Sequence, residues 1–343
     1  MGQFPCPGVG LMSYCMNFIS LWLFLWLPGQ EAVDNFAGPE AETKFLTVDE
    51  AAQKKLMNEA YIVDLKPFVV GAVHWEWCLK AERDQVELMS QVLSKKRGAC
   101  FVVDVGMNDG FYTNLAASYG CQVSSFELQP RCIKVAQQAA EKNGFTYLIK
   151  VYHQPVGALH SQSVEIQFPK DSYCDGGFTM VNGVYDANTH TRGKAPLATK
   201  KTFRSIALGK LFEMYNKTID VIKMDVEGFE PEALLGAESL FARRQVEVAI
   251  IEISNNLLSM WSRSNSTETN NDATDPLNHP HFEIYQRIVS YGYHIKTLNC
   301  DTSPKHKNVV FQADNFEEFK RYALLPAYQK CFDIVFVKSQ ILV

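Results

Sequence analysis

Two short segments of this 343-residue chain combine glycine with carboxylates directly after apolar, strand-like runs. The first is VVDVGMNDG, in which Gly106 and Gly110 flank Asn108, and the second is DVIKMDVEG, which ends at Gly228. Glycine lets a backbone turn tightly and approach a ligand, and open α/β sheets bind ligands at the carboxyl ends of their parallel strands. The two segments therefore predict a binding and reaction site at one edge of a sheet.

A further carboxylate completes the first segment. Glu127 stands 21 residues beyond Gly106, just after a second apolar run, where a glutamate can accept both hydrogens of a ribose diol. Asn108 replaces the middle glycine of a dinucleotide fingerprint and Asp109 adds negative charge, and both features disfavour a pyrophosphate. A cationic ligand without phosphate, such as S-adenosylmethionine, tolerates both, and Asp104 can hold its ammonium group directly or through water. The predicted cofactor site is formed by Asp104, Gly106, Asn108, Gly110 and Glu127.

Two alternatives to this interpretation stay open. Asp109 taken singly is explained more simply as the N-cap of the helix that follows. Glu127 would also serve a nicotinamide dinucleotide, so an NAD-dependent oxidoreductase is the rival enzyme.

The second segment places ionisable residues near the end of an apolar strand. Strand alternation puts Lys223 and Asp225 on the same face, where both are costly without partners. We predict that Asp225 is the general base for an acceptor hydroxyl, with Glu227 the second candidate and Lys223 a member of the same catalytic group. The alternative for Lys223 is an internal ion pair with a carboxylate of a neighbouring strand, such as Asp104. Glu230, just before a proline that opens a helical pattern, is expected to cap that helix.

Strand and helix patterns alternate through the middle of the chain. Short apolar runs at 101–105, 122–126 and 147–152 are separated by helical patterns at 111–119 and 131–142. This alternation is typical of right-handed βαβ units that build a parallel sheet. Further strands are predicted at 164–168, 200–204, 219–226, 246–253, 293–298 and 332–337, and further helices at 77–96, 231–241, 281–291 and 315–323.

The motifs VVDVGMNDGFYTNLA, FELQP and IKMDVEGFEPEALLGA resemble the FkbM family of S-adenosylmethionine-dependent methyltransferases. The resemblance is strongest over 101–253, and it implies the α/β class I methyltransferase fold, a Rossmann-like, seven-stranded, mostly parallel sheet flanked by helices. Family members commonly methylate hydroxyl oxygens of sugars or natural products. The chain departs from the family at Met107 and Leu128, which stand in place of alanine and proline. The resemblance places Gly106, Asn108 and Gly110 beside the cofactor, Glu127 on its ribose, and Asp225 with Glu227 where the methyl group meets the acceptor.

Charge and cysteine content exclude some classes of function. The formal net charge is -5, which argues against a surface that binds nucleic acid, because such surfaces carry a clustered basic excess. The nine cysteines form no CxxC pair and show no spacing typical of a zinc site, so no metal is predicted. Cys100 and Cys121 are interpreted most simply as buried thiols, and disulfides are expected only if the chain enters an oxidising compartment.

Residues 11–27 form an apolar segment typical of targeting or membrane attachment. We expect residues 1–29 to be this segment, 30–76 a linker and N-terminal extension, and 77–343 the methyltransferase domain, with a flexible loop at 262–279.

The predicted location is therefore the secretory pathway or a membrane, and a cytosolic protein is the alternative. Lysines after the apolar segment favour a cytosolic domain, whereas two N-x-T tripeptides, at Asn216 and Asn265, favour a lumenal one.

The combined pattern predicts an S-adenosylmethionine-dependent methyltransferase that modifies a hydroxyl of a small molecule or glycan. A non-catalytic protein that keeps the fold without turnover is the second alternative, beside the NAD-dependent oxidoreductase.

Overall fold

The structure of this chain is a computed structural model that describes residues 44–71, 75–169, 174, 180–181, 184–185, 197–226, 228–253, 281–299, 310–311, 313–323 and 332–338. These residues belong to a single unit that spans 35–343. The predicted targeting segment at 11–27 and the predicted loop at 262–279 lie outside the described residues. Among the described residues, no helix has the length and apolar character needed to cross a membrane.

From residue 101 onward the predicted strands and helices are present in the predicted order, whereas the single helix predicted at 77–96 is two helices, Trp75–Ala81 and Arg83–Ser94. The strands are β1 (Phe45–Val48), β2 (Phe68–Gly71), β3 (Phe101–Val105), β4 (Gln122–Phe126), β5 (Ile149–Tyr152), β6 (Ser163–Pro169), β7 (Met180–Val181), β8 (Val184–Tyr185), β9 (Leu197–Arg204), β10 (Ile219–Met224), β11 (Val246–Ile253), β12 (Tyr293–Asn299), β13 (Val310–Phe311) and β14 (Phe332–Lys338). The helices are α1 (Glu50–Met57), α2 (Trp75–Ala81), α3 (Arg83–Ser94), α4 (Phe111–Ser118), α5 (Pro130–Asn143), α6 (Leu208–Leu211), α7 (Glu230–Ala242), α8 (His281–Ser290) and α9 (Phe316–Ala323).

The central sheet has eight strands in the order β13-β12-β14-β11-β10-β3-β4-β5. Neighbours from β11 through β5 pair in parallel, whereas β14 is antiparallel to both β11 and β12, and β13 is antiparallel to β12. The predicted Rossmann-like, mostly parallel sheet is confirmed, with eight strands in place of seven. The additional strand, β13, contains two residues at the sheet edge and is too short to give a periodic signal.

The order of the strands reverses at β3. The chain runs outward through β4 and β5, and it returns to the other side of β3 with β10 and β11. Open α/β sheets form a crevice at such a switch point, outside the carboxyl ends of the strands. The first segment singled out by the sequence follows β3 and the second follows β10. Because β3 and β10 are parallel neighbours, both segments lie at the same edge of the sheet.

Residues before the predicted domain boundary at 77 also belong to the fold. Strands β1 and β2 pair in antiparallel fashion, and the ring of Phe68 packs edge-on against Phe111 of α4 with 5.9 Å between centroids. Asn143 of α5 accepts a hydrogen bond from the backbone N–H of Val69 at 2.6 Å and donates to its carbonyl at 2.8 Å. The folded unit therefore extends N-terminal of residue 77.

Cys100 and Cys121, which were expected to be buried thiols, form a disulfide. Cys100 is bonded to Cys121, with 4.6 Å between their Cα atoms, and Cys132 is bonded to Cys174. Cys100 and Cys121 directly precede β3 and β4, whose parallel pairing matches Phe101 with Gln122 and so brings the two sulfurs together. The thiol interpretation is wrong because it treated each position alone, whereas the strand register decides their proximity.

Candidate functional site

The carboxyl ends of β3 and β10 meet at Gly106. The backbone N–H of Asp225 donates to the carbonyl of Val105 at 2.9 Å, and the N–H groups of Gly106 and Met107 donate to the carbonyl of Phe126 at 2.9 and 3.0 Å. Gly106 has a φ of +81°, and a Cβ there would lie 1.8 Å from the carbonyl oxygen of Asp225. The glycine is therefore required by the close approach of a second strand as well as by its own left-handed backbone.

Glu127 is the centre of the loop that follows β4. Its Oε1 accepts from the backbone N–H groups of Leu128 and Gln129 at 2.7 and 2.8 Å, and its Oε2 accepts from that of Asn108 at 2.9 Å. The side chain is nearly buried, and burial raises its pKa while the three N–H groups oppose the rise. A carboxylate oxygen accepts two hydrogen bonds, so Oε2 keeps room for one further donor, such as a ribose hydroxyl.

The loop between β3 and α4 packs tightly against α5. Asn108 has a φ of +51°, and its Oδ1 lies 2.9 Å from Sγ of Cys174, beside the disulfide to Cys132. Gly110 has a φ of +87°, and a Cβ there would lie 2.6 Å from the Cβ of Ala136. Close packing against Ala136 thus explains why a glycine is needed at position 110. The predicted contact of Asn108 and Gly110 with a cofactor stays a prediction.

The two aspartates of the first segment are both buried. Asp109 is not the N-cap of α4, because Gly110 occupies that position, and the carboxylate of Asp109 lies beside Gly71 of β2 instead. Asp104 accepts a hydrogen bond from Oγ1 of Thr113 at 2.6 Å. Burial raises the pKa of Asp104 to about 6, and the Thr113 bond opposes that rise. Contact between Asp104 and an ammonium group stays a prediction.

Lys223 and Asp225 form an ion pair at the end of β10. Nζ of Lys223 lies 3.5 Å from Oδ2 of Asp225 and 5.3 Å from the ring centroid of Tyr112. Burial opposes the charge of Lys223, but the carboxylates of Asp225, Glu82 and Asp333 outweigh that effect and raise its pKa. Asp225, and not the Asp104 suggested by the sequence, is thus the ion-pair partner in the structure. The Asp225 side chain is 27% exposed, so it is accessible to solvent.

Sequence reasoning missed the acids that surround this pair. Asp333 of β14 is fully buried and accepts a hydrogen bond from Gln85, and burial raises its pKa to about 8 although Lys223 opposes the rise. The hydroxyl of Tyr112 donates to Glu82 at 2.7 Å. The signal for Asp333 was present, since an acid inside the apolar run FDIVFVK is as costly as Lys223 inside β10.

Glu230 holds the turn that carries the predicted base. Its Oε1 accepts from the backbone N–H groups of Val226 and Gly228 at 2.9 and 3.1 Å, and the side chain is fully buried. The expected helix cap is wrong, because α7 starts at Glu230 itself and Phe229 makes no side-chain cap. Glu230 instead fixes the turn directly after Asp225. Glu227, the second candidate base, lies outside the described residues.

A family model described as the Methyltransferase FkbM domain matches residues 104–295, which is more than half of the chain. This protein belongs to the FkbM methyltransferase family. The match begins at Asp104 and includes both segments of the site, so the resemblance read from the motifs is confirmed. The chain is a methyltransferase with the class I methyltransferase fold.

Solved structures to which the chain shows similarity include an rRNA methylase from Streptococcus thermophilus, at 10% identity and a TM-score of 0.35, covering 74% of this chain and 95% of that one. An O-methyltransferase from Bacillus cereus in complex with SAH has 12% identity and a TM-score of 0.36, covering 85% and 92%. A search of curated proteins gives no match.

Because the carbonyl of Asp225 lies so close to Gly106, adding a methyl group at this position should destabilise the fold strongly. Gly106→Ala should lower the free energy of unfolding by about 1–2 kcal/mol for the left-handed backbone and by roughly 1–3 kcal/mol more for the overlap with Asp225. Gly144→Ala is the matched control, because Gly144 has a φ of +70° with no atom within 4 Å of the added Cβ. Urea unfolding measures both variants, and equal losses would show that the strand ends separate freely.

The raised pKa of Glu230 predicts that the free energy of unfolding depends on pH. Burial raises its pKa from 4.5 to about 7, so the folded state binds the proton more tightly than the unfolded chain. Its contribution is full below 4.5 and is lost as the pH rises through about 7. The stability of Glu230→Gln relative to the wild type should therefore increase over this range, by roughly 3 kcal/mol at most, and then level off.

Urea unfolding of Glu230→Gln and the wild type across that pH range tests this expectation. Glu232→Gln, which removes an acid from the same helix, is the control for loss of one carboxyl group. A stability difference for Glu230→Gln that is constant at every pH would contradict the assignment.

Proposed function

We propose that this methyltransferase uses S-adenosylmethionine and methylates a hydroxyl of a sugar or a small natural product. The observation that carries the proposal is the fixed carboxylate of Glu127 beside the strand end that presents Asp225. Strands β4, β3 and β10 are consecutive neighbours in the sheet, so a ligand held by Glu127 lies within reach of the ends of all three.

The residues present fit a cationic cofactor. Oε2 of Glu127 accepts one hydrogen bond from the protein and can accept a second one from a ribose hydroxyl. Asp104 and Asp225 give this corner an acidic character that suits a sulfonium and an ammonium group and repels a diphosphate. When bound, S-adenosylmethionine supplies a methyl group on a cationic sulfur.

Asp225 is proposed as the base that takes the proton from the acceptor hydroxyl. Its partly exposed carboxylate would take up the proton that the acceptor hydroxyl loses when a bound S-adenosylmethionine gives up its methyl group and its sulfur leaves with the electron pair, a role worth about 10² to 10⁴ in rate. Lys223 keeps Asp225 oriented through the ion pair at 3.5 Å, and Glu230 fixes the backbone immediately after it. Glu227 is the alternative base. Orientation of the reacting groups contributes several kcal/mol more, up to about 7–11 in ideal cases.

Two alternatives are distinguished by direct binding measurements. An NAD-dependent oxidoreductase would bind NADH in preference to S-adenosylhomocysteine in a fluorescence titration. A non-catalytic relative would bind S-adenosylhomocysteine and transfer no methyl group across a broad acceptor panel. The prediction that nucleic acid is not the acceptor rests on the net charge of -5, and nucleic acid therefore belongs in that panel.

The acceptor is identified by comparing cells with and without the protein. Mass spectrometry of glycans and small metabolites should show a methyl group that disappears when the protein is absent. The compound found in this way supplies the substrate for kinetic measurements.

Replacing Glu127 tests the ribose contact. Glu127→Ala should weaken S-adenosylhomocysteine binding in calorimetry at least about tenfold, because a hydrogen bond to a charged group contributes roughly 1.5–3 kcal/mol. Glu141→Ala removes an exposed acid of α5 and is the control. Thermal unfolding of each variant separates loss of the loop from loss of the ligand contact. Unchanged affinity in a folded Glu127→Ala protein would remove this residue from the site.

Replacing Asp225 tests the base. Asp225→Asn should lower kcat by about 10² to 10⁴ and leave the affinity for S-adenosylhomocysteine unchanged, because the amide keeps the shape but cannot take the proton. Glu232→Gln on the first turn of α7 is the control and should keep full turnover. Full turnover of Asp225→Asn on the identified acceptor would show that another group is the base.

A further inference from the structure

The tripeptide Asn216-Lys217-Thr218 occupies an exposed turn between α6 and β10. All three residues are exposed, while the chain on either side is anchored by the buried side chains of Phe212 and Ile219. N-x-T is the acceptor sequence for N-linked glycans, and such tripeptides also arise by chance. Additional observations are therefore needed to decide whether this one is used.

The turn is held firmly with its polar residues outward. The ring of Tyr215 packs on that of Phe101 with 4.8 Å between centroids, and the carbonyl of Tyr215 accepts from Nε2 of Gln245 at 2.6 Å. These contacts fix the chain immediately before Asn216, which is itself exposed.

The two disulfides indicate an oxidising environment. Disulfides persist in oxidising environments such as the lumen of the secretory pathway and are rare in reducing cytosol. Cys100 and Cys121 are nearly buried within the core, and the Cys132–Cys174 bond is separate in sequence and position. The exposed tripeptide and the disulfides are independent features, and both indicate the same compartment.

The turn lies at the opposite edge of the sheet from the methyltransferase site. It directly precedes β10, whose other end carries Asp225, so the six residues of that strand separate them. At about 3.3 Å per residue this is roughly 20 Å. A glycan at this turn would leave the crevice open.

We propose that Asn216 carries an N-linked glycan and that the chain folds in an oxidising lumen. In the modification, Nδ2 of Asn216 forms a bond to the anomeric carbon of a lipid-diphosphate-linked oligosaccharide. The bond from that carbon to the diphosphate oxygen breaks, the lipid diphosphate leaves with the electron pair, and one amide proton is released. This inference does not depend on the acceptor or the base of the methyl transfer.

The test is expression of the full chain in eukaryotic cells, followed by peptide:N-glycosidase treatment and mass spectrometry of the peptide that contains residue 216. Asn216→Gln and Thr218→Ala both destroy the tripeptide, whereas Thr218→Ser preserves it and is the matched control. Asn265→Gln, in every background, removes the second tripeptide of the sequence. Alkylation before and after reduction reports whether Cys100 and Cys121 are bonded.

We expect the peptide that contains residue 216 to carry one added mass that peptide:N-glycosidase removes. This added mass should be absent in Asn216→Gln and Thr218→Ala and present in Thr218→Ser. The affinity of all three variants for S-adenosylhomocysteine should be unchanged. An unmodified residue-216 peptide from the secretory fraction would overturn the glycan assignment. Free thiols at Cys100 and Cys121 in freshly isolated protein would overturn the lumenal assignment as well. Failure of methyl transfer alone would leave these readouts unaffected and would count only against the proposed function.

Discussion

The contact between the ends of β3 and β10 is the constraint on which the site depends. Gly106 has no side chain, and this absence lets the carbonyl of Asp225 occupy the space where a Cβ would stand. The N–H of Asp225 closes the same contact by donating to Val105. Two segments more than a hundred residues apart in sequence thereby form one surface, with the ribose-binding candidate on one side and the candidate base on the other.

A second constraint is the balance of buried charge beneath that surface. Lys223 is a buried cation that lies among the carboxyl groups of Asp225, Glu82 and Asp333. The acids raise the pKa of Lys223, and Lys223 in turn opposes the burial that raises the pKa of Asp333 to about 8. A carboxylate left alone in such a core would bind a proton, and a lysine left alone would lose one. The arrangement places the ammonium of Lys223 3.5 Å from the carboxylate of Asp225, at the rim of that surface.

Hydrogen bonds from backbone N–H groups hold the carboxyl groups of the two buried glutamates in place. Glu127 is fixed by three of them after β4, and Glu230 by those of Val226 and Gly228 after β10. A carboxylate that accepts several backbone hydrogen bonds sets the shape of a loop as firmly as packing does. Both loops at the candidate site therefore contain a buried acid that fixes their backbone, beside apolar contacts such as those of Leu128 and Phe229 with Ile166.

The sequence by itself determined the fold class, the bounds of most strands and helices to within a few residues, and the two segments that meet at the site. These features are local, because apolar periodicity and the positions of glycines can be recognised within a short stretch of sequence. Tertiary structure alone decided the Cys100–Cys121 bond, the burial of Asp109 against β2, the backbone-holding role of Glu230 and the place of Asp333 beside Lys223. Each of these depends on the strand register or the packing of segments that are distant in sequence. The residues next to a given position do not determine which distant side chains it will contact.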